Sequence, residues 1–169
     1  MRIIKTILII LLIGLVVFQL FGTKKNAAPG PFPNDISTLY PVPANVQTIL
    51  KKACNDCHSN NTRYPWYNHI QPVAWWLRSH INEGKRELNF NEFASYKPSK
   101  QYHKIDAVIK EVKKGDMPLG SYTIIHTDAR LTDDEKSTIT GWAQSIKDSL
   151  EAHYPKDSLV TKKGAPSMH

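Results

Sequence analysis

The chain has 169 residues, 41% of them hydrophobic, and a formal net charge of +7. This size and composition suit one globular domain with a core of its own plus appendages, so disulfides are not needed to hold it together. The charge does not indicate nucleic-acid binding. Much of it lies before residue 26 or after Pro155, and the nearly balanced middle offers no clustered basic face for phosphates.

An apolar segment opens the chain. The stretch from Ile3 to Gly22 is mostly apolar and supplies the about 20 residues that a spanning helix needs, if Lys5 reaches the membrane interface. A cleaved signal peptide is the alternative, but the chain continues TKKN and offers no prompt small-residue cleavage site. We therefore predict an uncleaved transmembrane anchor over residues 1–22.

The rest of the chain divides by composition. Residues 23–43 are rich in proline, which is typical of a linker between an anchor and a domain. The domain itself is expected over residues 44–154. Residues 155–169 show no periodicity and are expected to form a flexible tail.

Within residues 44–154 the apolar side chains recur at helical spacing, and no sustained alternation of period two is present. Pro43 suits the start of a first helix, near whose C-terminal end lie Cys54, Cys57 and His58. Further helices are expected over 72–83 up to Gly84, over 100–114 up to Gly115, and from a capping box at Thr132–Glu135 to Pro155, with a helical turn or two at 91–96. The pattern predicts an all-α domain.

The two cysteines of the chain, Cys54 and Cys57, are followed at once by His58. A disulfide would close a tiny loop and stabilise the fold little, a thioredoxin-like dithiol is expected beside a βαβ pattern, and zinc needs a further closely spaced pair of ligands. The pattern C-x-x-C-H is instead typical of c-type haem attachment. Two thiols one helical turn apart can reach both vinyl groups of one porphyrin, and the imidazole then lies under the iron. We predict one covalent haem c.

An iron held by one histidine takes a sixth ligand, and methionine is common in electron-transfer sites of this type. Of the three methionines, only Met117 lies inside the predicted domain, just after a predicted helix. We predict Met117 as the sixth ligand, with His80, His103 and His126 as the alternatives.

Aromatic residues follow the motif and suggest a wall for the porphyrin. Arg63 or Arg78 is expected to pair with a haem propionate. Trp66 and Trp76, together with neighbouring aromatic residues, are expected to flank the ring, with an ordinary aromatic core as the alternative. Arg63, Trp66 and Trp76 complete the predicted cofactor-binding set.

Two stretches, CNDCHSNNTRYPWYNHIQPVAWWLRSHINEGKRELNF and GDMPLGSYTIIHTDARLTDDE, resemble the haem-binding domain family of membrane-anchored bacterial proteins, a monohaem branch of the class I cytochrome c-like proteins. The resemblance covers residues 44–146. It implies a cytochrome c-like fold in which the first helix carries the motif and the last packs across it. It also implies thioether anchors at Cys54 and Cys57, and axial ligands at His58 and Met117.

Such cytochromes are assembled outside the cytoplasm. The resemblance therefore implies a single-pass protein of the bacterial inner membrane, tethered by its N-terminal helix, with the haem domain on the periplasmic side. The Trp-rich segment at 59–96 is longer than in a minimal cytochrome c and leaves partner and pathway open.

Two protein ligands would saturate the iron, which favours single-electron transfer to a redox partner. No nucleophile and base accompany the motif, so an enzyme is not expected. Two alternatives stay open. One is a haem-based sensor or small peroxidase whose distal ligand is displaced by an exogenous molecule, and the other is a haem-stabilised module that recruits a partner.

Overall fold

The computed structural model describes residues 2–160, and its regular structure is helical apart from one isolated bridge between Ala27 and Asn61. The predicted all-α class is confirmed. The α-helices are α1 (Arg2–Phe18), α2 (Ala44–Ala53), α3 (Asn55–His58), α4 (Val73–Glu87), α5 (Pro98–Lys114), α6 (Gly120–Ile125), α7 (Asp133–His153) and α8 (Lys156–Leu159). Short 3₁₀ helices lie at Ile36–Thr38, Trp66–His69, Phe90–Ser95 and Thr127–Ala129.

Helix α1 is apolar and has 17 residues, none of them buried. It ends at Phe18, where the side chain of Gln19 hydrogen-bonds to the backbone of Gln71 in the domain. Among residues 2–160, no helix combines the length and the apolar character that crossing a membrane requires. The transmembrane helix predicted over residues 1–22 is therefore not found.

The proline-rich segment predicted to be a linker lies against the domain. The Thr62 amide donates to the carbonyl of Asn26, and the Ala28 amide donates to the carbonyl of Asn60, each at 3.0 Å. Ile36 is 2% exposed and belongs to the main hydrophobic cluster. The segment folds onto the domain because its backbone and this isoleucine find partners there.

The core of the domain lies between α5 and α7, with α2 packed on α7 and α8 on α5. Helix α7 starts with the predicted capping box: Thr132 Oγ1 accepts from the amide of Glu135, and Glu135 Oε2 accepts from the amide of Thr132. The predicted end of α5 is also confirmed, since Gly115 caps it with φ of 84°, a left-handed conformation that suits glycine.

The predicted tail is in part ordered against the domain. Residues 156–159 form α8, and Leu159 is 1% exposed within the core. The remainder of the tail, residues 161–169, lies outside the described residues.

The residue expected to end the second helix lies inside it. Helix α4 continues through Gly84 to Glu87. A Cβ at Gly84 would lie only 2.8 Å from the carbonyl oxygen of Cys57 and 3.0 Å from its Cβ. The glycine therefore permits close packing of α4 on α3, the helix that carries the cysteine–histidine motif.

Candidate cofactor site

The motif lies on a short helical turn, α3, which is separated from α2 by an interruption of the helix. Cys54 separates the two helices, and the amides of Cys57 and His58 donate to its carbonyl at 3.1 and 2.9 Å. The two cysteines are therefore one turn apart, and both are free thiols. Burial raises the pKa of Cys54 to about 12 and that of Cys57 to about 11, so both side chains are neutral at physiological pH.

The imidazole of His58 is held in one tautomer. Its Nδ1 lies 2.9 Å from the carbonyl oxygen of Leu88. A carbonyl can only accept, so Nδ1 carries the hydrogen and Nε2 keeps its lone pair. Burial lowers the pKa of His58, which keeps the ring neutral. A neutral imidazole with a free Nε2 and an anchored Nδ1 is the form in which histidine binds a metal.

Two adjoining cavities open beside the motif, of about 290 and about 280 Å³. Apart from a few charged groups at its edge, the first is walled by apolar side chains. The apolar residues that line it include Leu50, Leu88, Phe90, Val108, Val112, Leu131 and Ile139. The residues common to both cavities are Ala53, Cys54, His58, Glu87, Met117 and Pro118.

Met117 reaches these cavities from the loop after α5. Its amide donates to the carbonyl of Glu111 at 3.2 Å, which holds the loop close to the helix end that Gly115 caps. The side chain packs against the hydrophobic core and lines both cavities, as His58 does. The structure thus brings a thioether, an imidazole and two thiols to one pair of adjoining cavities.

A buried carboxylate, which nothing in the sequence pattern indicated, lies between the two cysteines along the chain. Asp56 is 6% exposed and accepts a hydrogen bond from the Tyr122 hydroxyl at 2.6 Å. It also accepts from the amide of Arg63 at 2.9 Å. Burial and the bond to Asp56 raise the pKa of Tyr122, so its hydroxyl stays a donor. Tyr122 belongs to α6 and lines the second cavity, so this hydrogen bond joins α3 to α6 beside that cavity.

The three residues predicted to contact the porphyrin face or its propionates line neither cavity. The Arg63 guanidinium lies 3.3 Å from the Asp56 carboxylate. Trp66 is 77% exposed. The ring of Trp76 lies beside the ring of His80, with centroids 4.3 Å apart and the two planes tilted by 50°.

The alternative histidine ligands occupy different surroundings. His80 lines the second cavity, with its Nδ1 3.0 Å from the carbonyl of Trp76. His126 stacks on Tyr122 with centroids 4.2 Å apart, and its Nε2 is hydrogen-bonded to Tyr67 at 2.8 Å. His103 lies on α5 and makes an edge contact with a neighbouring tyrosine. Only His80 of these three shares a cavity with Met117 and His58.

The family model described as a haem-binding domain matches residues 13–145 of the chain. No curated protein and no solved structure matches the chain. The matched range includes α2 to α6 and most of α7, and it contains every residue that lines the two cavities.

Proposed function

The chain belongs to the haem-binding domain family, and on this premise we propose that it is a monohaem c-type cytochrome that transfers single electrons. The observation that carries the proposal is the placement of His58, Met117 and two free thiols around one pair of adjoining cavities. A cytochrome c-like arrangement, with the motif on an early helix and a long helix packed near it, agrees with the contact of α2 with α7.

The donor set fits a covalently bound haem. Each S–H of Cys54 and Cys57 would add across one vinyl group, with sulfur on one carbon and hydrogen on the other, so the attachment needs no oxidant. His58 Nε2 and Met117 Sδ would hold the haem iron. When bound, the haem supplies reversible one-electron chemistry at its iron.

The surrounding residues favour electron transfer over catalysis. The Leu88 carbonyl fixes the orientation of the His58 ring and makes it a stronger donor. The first cavity is lined mainly by apolar side chains, and Met117 would leave no open position for an exogenous ligand. The electrons would pass to a redox partner protein.

We further propose that α1 associates with a membrane, because it is apolar from Ile7 to Phe18 and none of its residues is buried. Haem attachment of the c type takes place outside the cytoplasm. The domain would therefore act at the periplasmic face of a bacterial inner membrane, close to partners in the same membrane, which raises the effective concentration of those partners.

Optical spectra of the purified holoprotein test the proposed function. We expect a low-spin ferric spectrum with the far-red band of methionine ligation, and a ferrous spectrum that carbon monoxide does not change. A high-spin ferric spectrum, or rapid carbon monoxide binding, would instead indicate a sensor or peroxidase with a displaceable ligand. Release of the haem by acidified acetone would contradict covalent attachment.

A further inference from the structure

The C-terminal end of α1 is held against the domain by side-chain and backbone contacts. Phe18 and Trp75 meet edge to face with ring centroids 4.6 Å apart. The Gln71 amide donates to Gln19 Oε1 at 2.8 Å, and Gln19 Nε2 donates to the Gln71 carbonyl at 3.3 Å. The Gln71 side chain also donates to the carbonyl of Phe21 at 2.6 Å. These contacts set the direction of α1 relative to α4.

Exposed apolar side chains concentrate next to this junction. Between the 3₁₀ helix at Trp66–His69 and the first turns of α4, Trp66 is 77% exposed, Ile70 44% and Trp75 42%. Within the described residues, most of the large apolar side chains exposed outside α1 lie on residues 66–76 or on 124–125 of α6. The bond between Tyr67 and His126 holds these two segments together.

The same region carries positive charge only. Residues 1–34 contain no acidic residue, and neither do residues 57–82. Lys24 and Lys25 lie in the segment after α1, and the guanidinium of Arg78 on α4 contacts the carbonyl of Lys24. A surface of tryptophans bordered by cations complements a bilayer with anionic headgroups, because indole rings favour the interface and basic side chains are attracted to the headgroups.

We propose that α1 and residues 66–76 form one lipid-docking surface, which lays the domain on an anionic membrane in a fixed orientation. Trp66, Ile70 and Trp75 would lie at the boundary between headgroups and acyl chains, with Lys24 and Lys25 among the headgroups. This inference rests on the membrane association of α1 proposed above. It adds that the domain itself contacts lipid.

Amide hydrogen exchange of the full-length holoprotein in vesicles tests the docking surface. We expect slower exchange at residues 64–72 in vesicles of phosphatidylcholine with phosphatidylglycerol than in vesicles of phosphatidylcholine alone. Exchange in α5 should be equal in both. High salt should remove the difference, because it screens the contacts of lysine with headgroups.

A double variant, Trp66→Ser with Ile70→Ser, should lose this protection while it still floats with the vesicles and keeps its haem spectrum. The matched control is Leu39→Ser, which changes an apolar residue that lies outside the surface and is 50% exposed. This variant should keep the protection.

If the wild type floats with the vesicles but shows no protection at residues 64–72, the docking surface is overturned and the membrane association of α1 is kept. Protection that survives the double variant would also overturn it, and failure of the wild type to float would overturn both proposals.

Discussion

The Nδ1 atom of His58 lies 2.9 Å from the carbonyl oxygen of Leu88, which follows the last residue of α4. This hydrogen bond joins the motif to the helix that packs on it most closely. It sets the tautomer, the ring orientation and the direction of the Nε2 lone pair at once. The candidate site is therefore built by the docking of α4 as much as by the motif itself.

Met117 should determine the spectrum of the holoprotein. Met117→Leu keeps an apolar side chain of similar size and removes the sulfur, so the fold should change little. We expect loss of the far-red band and rapid carbon monoxide binding by the reduced protein. His80→Ala is the comparison, because His80 lines the second cavity too. A normal spectrum for Met117→Leu and an altered one for His80→Ala would transfer the distal role to His80.

The two cysteines should each contribute one covalent bond to the haem. Cys54→Ala and Cys57→Ala should each leave a haem held by a single thioether, which shifts the reduced α-band to longer wavelength. The double variant should release its haem during denaturing electrophoresis, whereas the wild type should keep it. Release from the wild type under the same conditions would contradict a c-type attachment.

Gly84→Ala should weaken the packing of α4 on α3. The added Cβ would lie 2.8 Å from the carbonyl oxygen of Cys57, which is backbone and cannot turn aside. Overpacking of this kind costs about 1–3 kcal/mol in the free energy of unfolding, measurable with urea. Gly141→Ala is the matched control: it is also helical, a Cβ there meets nothing within 4 Å, and we expect about 0.5–1 kcal/mol of stabilisation. Equal effects of both variants would refute the close approach.

Tyr122→Phe tests the bond that fastens α6 to the motif. It removes a donor from the buried Asp56 carboxylate and should cost about 1–2 kcal/mol in urea unfolding. Tyr102→Phe removes a hydroxyl that bonds the exposed Glu151, so its cost should be smaller. A Tyr122→Phe protein as stable as the wild type would show that the remaining donors satisfy Asp56.

The salt bridge at the start of α7 should make stability depend on pH. The Lys52 ammonium lies 2.6 Å from Glu135 and, through that hydrogen bond, holds the pKa of this carboxyl below the value of 4.5 it has when unfolded. The unfolded chain therefore binds the proton more readily. The stabilisation is fully present above about pH 5 and is lost as the pH falls through the folded pKa.

Glu135→Gln should flatten this dependence, since the amide can still complete the capping box but carries no charge. Urea midpoints between pH 3 and pH 7 give the comparison. Glu83→Gln, at an exposed position of α4, is the control and should follow the wild type. An equally steep acid limb in Glu135→Gln would place the dependence elsewhere.

Local sequence signals predicted the start of α7 and the end of α5 correctly. The capping box at Thr132 and the glycine at position 115 act within a single turn, so the residues next to them determine what they do. The motif was expected near the C-terminal end of the first helix, whereas α2 ends at Ala53 and Cys57 and His58 lie on the separate helix α3.

Long-range partners could not be found in this way. The acceptor for His58 lies 30 residues along the chain and the donor to Asp56 lies 66 residues along it. Gly84 was expected to end a helix because glycine weakens helices, and its use in close packing depends on the fold of α3 beside it. Arg63 was expected to pair with a propionate, and its contact with the buried Asp56 carboxylate, through both amide and guanidinium, was not expected.

The backbone pairing of Asn26 and Ala28 with Asn60 and Thr62 bears on how the protein can be shortened. A soluble fragment that begins at Ala44, where the first domain helix starts, would uncover the loop beside the motif and remove Ile36 from the core. We therefore expect a stable fragment to begin at or before Asn26, and a genetic fusion should be joined ahead of that residue.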